Sequence, residues 1–117
     1  MVSQRFPPRY RVRHGGEFRR AYERRSTVAD GQMVIFGYPN GLPYPRLGIS
    51  ASRRLGGAVA RNRWKRLLRE AFRLRRSELP EGIDLIVIPR PQAKPRLASL
   101  LESLPRLAQR LAKKMGQ

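Results

Sequence analysis

The chain has 117 residues, 40% of them hydrophobic, which suits one domain with a single modest core and excludes global disorder. Lys and Arg number 26 against 8 Asp and Glu, a formal net charge of +18. That excess points to a polyanionic partner, nucleic acid before an anionic membrane surface.

Residues 1–13 hold two prolines and four arginines without a helical period, and are expected to form an extended basic arm. Over residues 17–25, Phe18, Ala21, Tyr22 and Arg25 fall at i, i+3, i+4 and i+7, one face of a short helix. STVADGQMVIFGY predicts a brief strand, a turn around Asp30 and Gly31, and a second strand over 33–38. The Pro- and Gly-rich PNGLPYP is a loop. RLGISAS alternates as a third strand, and RRLGG is a loop before a helix spanning about 58–76. IDLIVIP, residues 83–89, is a continuous apolar run closed by proline, the pattern of a strand covered on both faces. In the last segment Leu97, Leu100, Leu101, Leu104, Leu107, Ala108 and Leu111 form one helical stripe. Pro105 interrupts that stripe, and because an interior proline costs about 3 kcal/mol, a kink or break is expected near Leu104. The order helix, three strands, helix, strand, helix predicts a single-domain α+β sandwich around one mixed four-stranded sheet.

The helix over 58–76 divides sharply. Trp64, Leu67, Leu68, Ala71 and Phe72 share one face, suited to packing on a sheet. Asn62, Lys65, Arg66, Arg69, Arg73 and Arg76 gather on the opposite side, with Arg53 and Arg54 just upstream and Arg61 and Arg63 in the first turns. A solvated surface usually mixes signs, yet Glu70 is the only acid between Arg53 and Arg76. Cations near a helix N-terminus also oppose the macrodipole, at roughly 0.3–1 kcal/mol each when exposed. Arginine far outnumbers lysine, and its guanidinium fork binds phosphate bidentately and stacks on bases. These features favour a nucleic-acid face over simple solvation. The aromatics Phe18, Tyr22 and Phe36 are either core or, where they reach a cleft, stacking platforms for an unpaired base worth about 1–3 kcal/mol.

Catalytic chemistry has little to stand on. His14 is the only histidine and sits in a basic stretch, and the eight acids are scattered with no pair arranged to hold two metals. Gly56 and Gly57 precede a helix but lack the rest of a phosphate loop. Cysteine is absent, so neither a disulfide framework nor a thiolate metal site is available. No apolar run approaches the roughly 20 residues that span a bilayer, and MVSQRFPPRYRVRH lacks the apolar core of a signal peptide. A cytoplasmic protein is expected. The residues alone leave open an rRNA-binding protein or RNA chaperone. A membrane-surface protein would need the apolar face of the basic helix, which the core requires.

RLGISASRRLGGAVARNRWKRLLREAFR, residues 46–73, resembles the signature of the bacterial ribonuclease P protein component family. The likeness lies in the Arg-Leu-Gly-Ile-Ser strand, the pair Arg53 and Arg54, Gly56, Ala58 and Val59, and the run Arg61, Asn62, Arg63 followed by Lys65 and Arg66. Glu17, Phe18 and Tyr22, then STVADGQMVIF and GIDLIVIPRP, follow in the family's order, so the resemblance covers nearly the whole chain. It implies a left-handed crossover from the third strand through the basic helix to the fourth, against the roughly 98% right-handed rule. It also implies a catalytic RNA that carries the active site with its Mg²⁺ ions and removes the 5′ leader of precursor tRNA. The protein would hold that leader and support the RNA, with no obligate protein partner and no membrane involved. By position, Arg53, Arg54, Arg61, Asn62, Arg63, Lys65, Arg66 and Arg69 match the family's RNA-contacting motif, and Phe18, Tyr22 and Phe36 its leader-binding cleft. Trp64 stands where an aliphatic residue is usual, Arg25 where glycine is common and Gly15 where a polar helix cap is usual. Pro105 is atypical too, but none of these departures touches the charged signature.

Overall fold

The computed structural model describes residues 7–12 and 26–116. Four strands, β1 (Ser26–Ala29), β2 (Met33–Pro39), β3 (Arg46–Ile49) and β4 (Ile83–Pro89), form one sheet in the order β1-β2-β4-β3. The β1–β2 and β2–β4 pairs are antiparallel, whereas β3 and β4 run parallel. Parallel neighbours require a crossover, and the basic helix α1 (Ala58–Arg75) supplies it. A second helix, α2 (Leu97–Lys114), follows β4. The mixed α+β sheet expected from the sequence is present. The helix expected over 17–25, with Phe18 and Tyr22, lies outside the described residues.

Side-chain alternation sorts the two faces of the sheet. Met33 and Ile35 of β2 point into the main core, while Val34, Phe36 and Tyr38 are half-buried on the other side. On β4, Ile83, Leu85 and Val87 join the main core, and Ile86 packs with Val12, Phe36 and Tyr38. Trp64, Leu68, Ala71 and Phe72 of α1 meet Leu100, Leu104, Leu107 and Leu111 of α2 in that main core, so both helices cover one face. Gly37 lets β2 and α2 approach closely, since a Cβ there would collide with the Leu111 side chain.

Contrary to the break expected near Leu104, α2 runs continuously through Pro105. The proline removes one backbone donor and costs about 3 kcal/mol. Ending the helix there would withdraw Leu107, Ala108 and Leu111, all fully buried, and each leucine is worth about 1.5–3 kcal/mol. Burial outweighs the local penalty.

The segment read as an extended arm is docked over its described part. Pro8–Tyr10 forms a 3-10 turn, Arg11 bridges Leu47 in parallel, and the Val12 N–H donates to the Leu47 carbonyl at 3.0 Å. Tyr10 and Val12 are buried. At the opposite edge, Lys114 Nζ donates to the Thr27 carbonyl of β1 at 2.7 Å.

Two carboxylates lock the loops. Asp84, 2% exposed, receives Arg46 in a fork, Nε to Oδ1 at 2.8 Å and a terminal nitrogen to Oδ2 at 2.7 Å. Asn40 Nδ2 adds a third bond to Oδ1 at 2.9 Å, tying the β2–β3 loop to β4. Asp30 closes the β1–β2 turn: its Oδ1 accepts the amides of Gln32 and Met33 at 2.8 and 3.1 Å. Its Oδ2 accepts Ser103 Oγ and lies 3.4 Å from an Arg106 nitrogen, which pins the turn to α2.

Partial burial opposes ionisation of Asp30, but the Ser103 hydroxyl, the two amides and the Arg106 charge outweigh it and hold the carboxyl below its usual value. The stability from this depressed group is present above its unfolded value near 4 and is lost as pH falls through the folded one. Asp30→Asn should therefore be less stable than wild type by about 1–2 kcal/mol at pH 7, a gap that closes on acidification below about pH 4. Thermal melts of both proteins across pH 2–7 check this; a gap independent of pH would mean that the charge plays no part.

Candidate nucleic-acid interface

The site begins where β3 ends. Ser52 Oγ accepts the Arg54 amide at 3.3 Å and starts a 3-10 turn over Arg53–Leu55. Leu55 packs against the core, so Arg53 and Arg54 are left exposed. Gly56 then takes φ +122°, a conformation that side chains rarely adopt, and a Cβ there would lie 3.0 Å from Ala60 Cβ. Gly57 caps α1 without a side-chain hydrogen bond, and no acid stands in the first turn. The helix N-terminus therefore keeps its positive end uncompensated beside Arg53, Arg54, Arg61 and Arg63.

Along α1, Asn62, Arg63 and Arg66 are exposed, while Arg61, Lys65 and Arg69 are half-buried at the edge of the packed face. Arg61 Nε is buried without a hydrogen-bond partner among the described residues. Partial burial, and then the nearby charge of Arg11, lower the Arg69 guanidinium from its ordinary value. Four of the described acids are used by other arginines. Asp84 holds Arg46, Asp30 holds Arg106, Glu70 binds Arg73 through two bonds of 2.8–2.9 Å, and Glu78 pairs with Arg75. Among the described residues, none of Arg53, Arg54, Arg61, Arg63, Lys65, Arg66 and Arg69 forms a salt bridge. These seven cations and Asn62 thus lie along one stretch, the 3-10 turn and α1, whose single acid, Glu70, is taken by Arg73.

Phe36 alone of the three aromatic candidates lies within the described residues. It is half-buried on the sheet face away from the helices, beside Val12, Ile86 and Tyr38. Tyr38 escaped the sequence reading, although its i+2 spacing from Phe36 places it on the same strand face. The docking of the arm escaped it too. Arg11 lies near Arg69 of α1 while its neighbour Val12 packs in the Phe36 cluster, so the arm links the basic surface to the aromatic one. Its signal was the period-2 alternation of Arg9, Tyr10, Arg11 and Val12, which reads as a strand edge.

A mixed α+β domain with an unneutralised arginine face, joined through its arm to an aromatic strand face, defines an RNA-binding protein. The ribonuclease P family model matches residues 6–112. The ribonuclease P protein component of Caldanaerobacter subterraneus subsp. tengcongensis is 42% identical over 92 residues, covering 78% of this chain and 79% of that one. That of Staphylococcus epidermidis is 38% identical over 111 residues, covering 91% and 96%. The solved ribonuclease P protein from Thermotoga maritima superposes with a TM-score of 0.79 at 31% identity, covering 86% of this chain and 96% of the other. The chain belongs to the ribonuclease P protein family and is the protein component of a ribonucleoprotein endoribonuclease whose catalysis is carried by RNA.

Proposed function

We propose that the basic surface formed by Arg53, Arg54, Arg61, Asn62, Arg63, Lys65, Arg66 and Arg69 holds the catalytic RNA. On this reading the sheet face bearing Phe36, together with Phe18 and Tyr22, receives the unpaired 5′ leader of precursor tRNA. The observation that carries this reading is the allocation of acids: Asp30, Glu70, Glu78 and Asp84 neutralise other arginines and leave this surface charged. Phosphates are the natural complement to such a surface. The protein positions RNA and leader for hydrolysis at the RNA's own active site. Among the described residues no three His, Asp or Glu side chains come together to hold a metal. On this reading the Mg²⁺ ions of the reaction belong to the RNA subunit. No described helix is long and apolar enough to cross a membrane, and the chain would work beside its RNA partners in the cytoplasm.

The test is reconstitution of purified protein with a ribonuclease P RNA on precursor tRNA at low Mg²⁺. Protein-dependent release of an intact 5′ leader supports the assignment; equal cleavage with and without the chain refutes it. Substitutions separate the two surfaces. Phe36→Ala, like Tyr22→Ala, should cost about 1–3 kcal/mol in affinity for precursor tRNA and leave mature tRNA, which has no leader, nearly unchanged. Arg61→Ala or Arg66→Ala should instead weaken association with the catalytic RNA. If folded aromatic variants lose both tRNA ligands equally, this protein has no leader cleft.

A further inference from the structure

The Tyr10 ring gathers two arginines, Arg9 from its own turn and Arg76 from the end of α1. Arg9 Cζ lies 5.1 Å and Arg76 Cζ 4.6 Å from its centroid. Both side chains are exposed, and neither forms a salt bridge among the described residues. Two positive charges therefore sit within about one Debye length, ~10 Å at 0.1 M salt. Each is drawn to the ring by a cation–π contact while repelling the other. An anion bridging them would turn that repulsion into attraction.

A cleft opens beside Arg76. Tyr44 stands edge-on to Tyr10, centroids 5.4 Å apart at 87°, and its other surroundings open into a cleft of about 390 Å³. Pro43, Pro45 and Leu74 supply apolar walls, and Arg76 stands on the rim. Leu74 is one of only two large apolar side chains left exposed among the described residues, at 47%. The volume falls within the range of about 300–1,000 Å³ usual for ligand pockets. Glu81 is the acid on the rim, and Arg73 there is already taken by Glu70.

An aromatic ring and prolines beside the Arg76 guanidinium, with Arg9 on the adjoining Tyr10 ring, match the two halves of a nucleotide. We propose that this cleft binds one unpaired RNA nucleotide, its phosphate held by Arg76 and its base against Tyr44 and Leu74. The site lies beyond both surfaces assigned above, past the C-terminal end of the RNA-contacting motif and on the β2–β3 loop. It rests on the reading of the chain as an RNA-binding protein.

Isotope-labelled full-length chain titrated with penta-uridylate tests it. The Tyr44 ring and Arg76 Nε resonances should shift with a single saturation curve. Tyr44→Leu, which keeps an apolar wall, should weaken that curve about tenfold. Arg76→Gln, an exposed change that spares the core, should lower the salt slope of binding by about 0.7–1. Silent Tyr44 and Arg76 resonances while signals from Arg61 to Arg66 saturate would overturn the site. Equal shifts with a poly-glutamate peptide would also overturn it, by showing a general anion patch with no seat for a base. Failure here is separable from failure of the wider reading: protein-dependent cleavage of precursor tRNA with silent Tyr44 removes only this site. The reverse result removes the ribonuclease P role and keeps the nucleotide site.

Discussion

Replacing Trp64 by alanine should lower folding stability by about 3–5 kcal/mol, a drop of roughly 10–20 °C in melting temperature. Trp64 is 2% exposed and sits on the core face of α1 with Leu68, Ala71 and Phe72. The site was built around an indole, so truncation leaves a cavity that the sheet and α2 can only partly close. The folded fraction should still bind RNA with little change, because Trp64 contributes no exposed surface to the arginine face. Calorimetry together with RNA titration below the melting range reads both quantities. An unchanged melting temperature with weakened RNA binding would place the ring against RNA and contradict its burial.

The second large effect is ionic. If about six phosphates are neutralised by the seven cations that have no salt bridge among the described residues, affinity for the catalytic RNA should fall roughly 10³-fold between 50 and 200 mM salt. The pairing pattern sharpens this expectation. Arg73 and Arg75 already have acidic partners 2.8 and 3.2 Å away, so their substitution should change the slope less than that of Arg63 or Arg66. A flat response to salt would remove the electrostatic account of binding.

Much of this arrangement was legible in the chain. IDLIVIP announces β4 because a strand buried on both faces needs no alternation, and the observed strand has the same limits, Ile83–Pro89. The 3.6-residue period of Trp64, Leu68, Ala71 and Phe72 likewise gives α1 and its exposed basic side. Pro105 misleads because propensity is local, while the leucines that hold α2 together are buried by distant strands. The docking of the arm is hidden because its arginines mask Tyr10 and Val12, whose burial depends on β3. Least legible is the neutralisation of charge. Asp84 meets Arg46 across 38 positions and Asp30 meets Arg106 across 76, so only the folded chain reveals which arginines remain bare.

The docking of the arm along β3 bears on self-association. An uncovered strand edge offers a row of unpaired amides and carbonyls to any similar edge and so templates aggregation. Here the Arg11–Leu47 bridge and the Val12 amide cover the β3 side, and Lys114 sets a cation on the Thr27 carbonyl at the β1 side. Deleting the residues before Arg13 would therefore remove more than basic charge. It would strip the guard from one border of the sheet, and a shortened chain that still folds should be prone to pairing with its own kind.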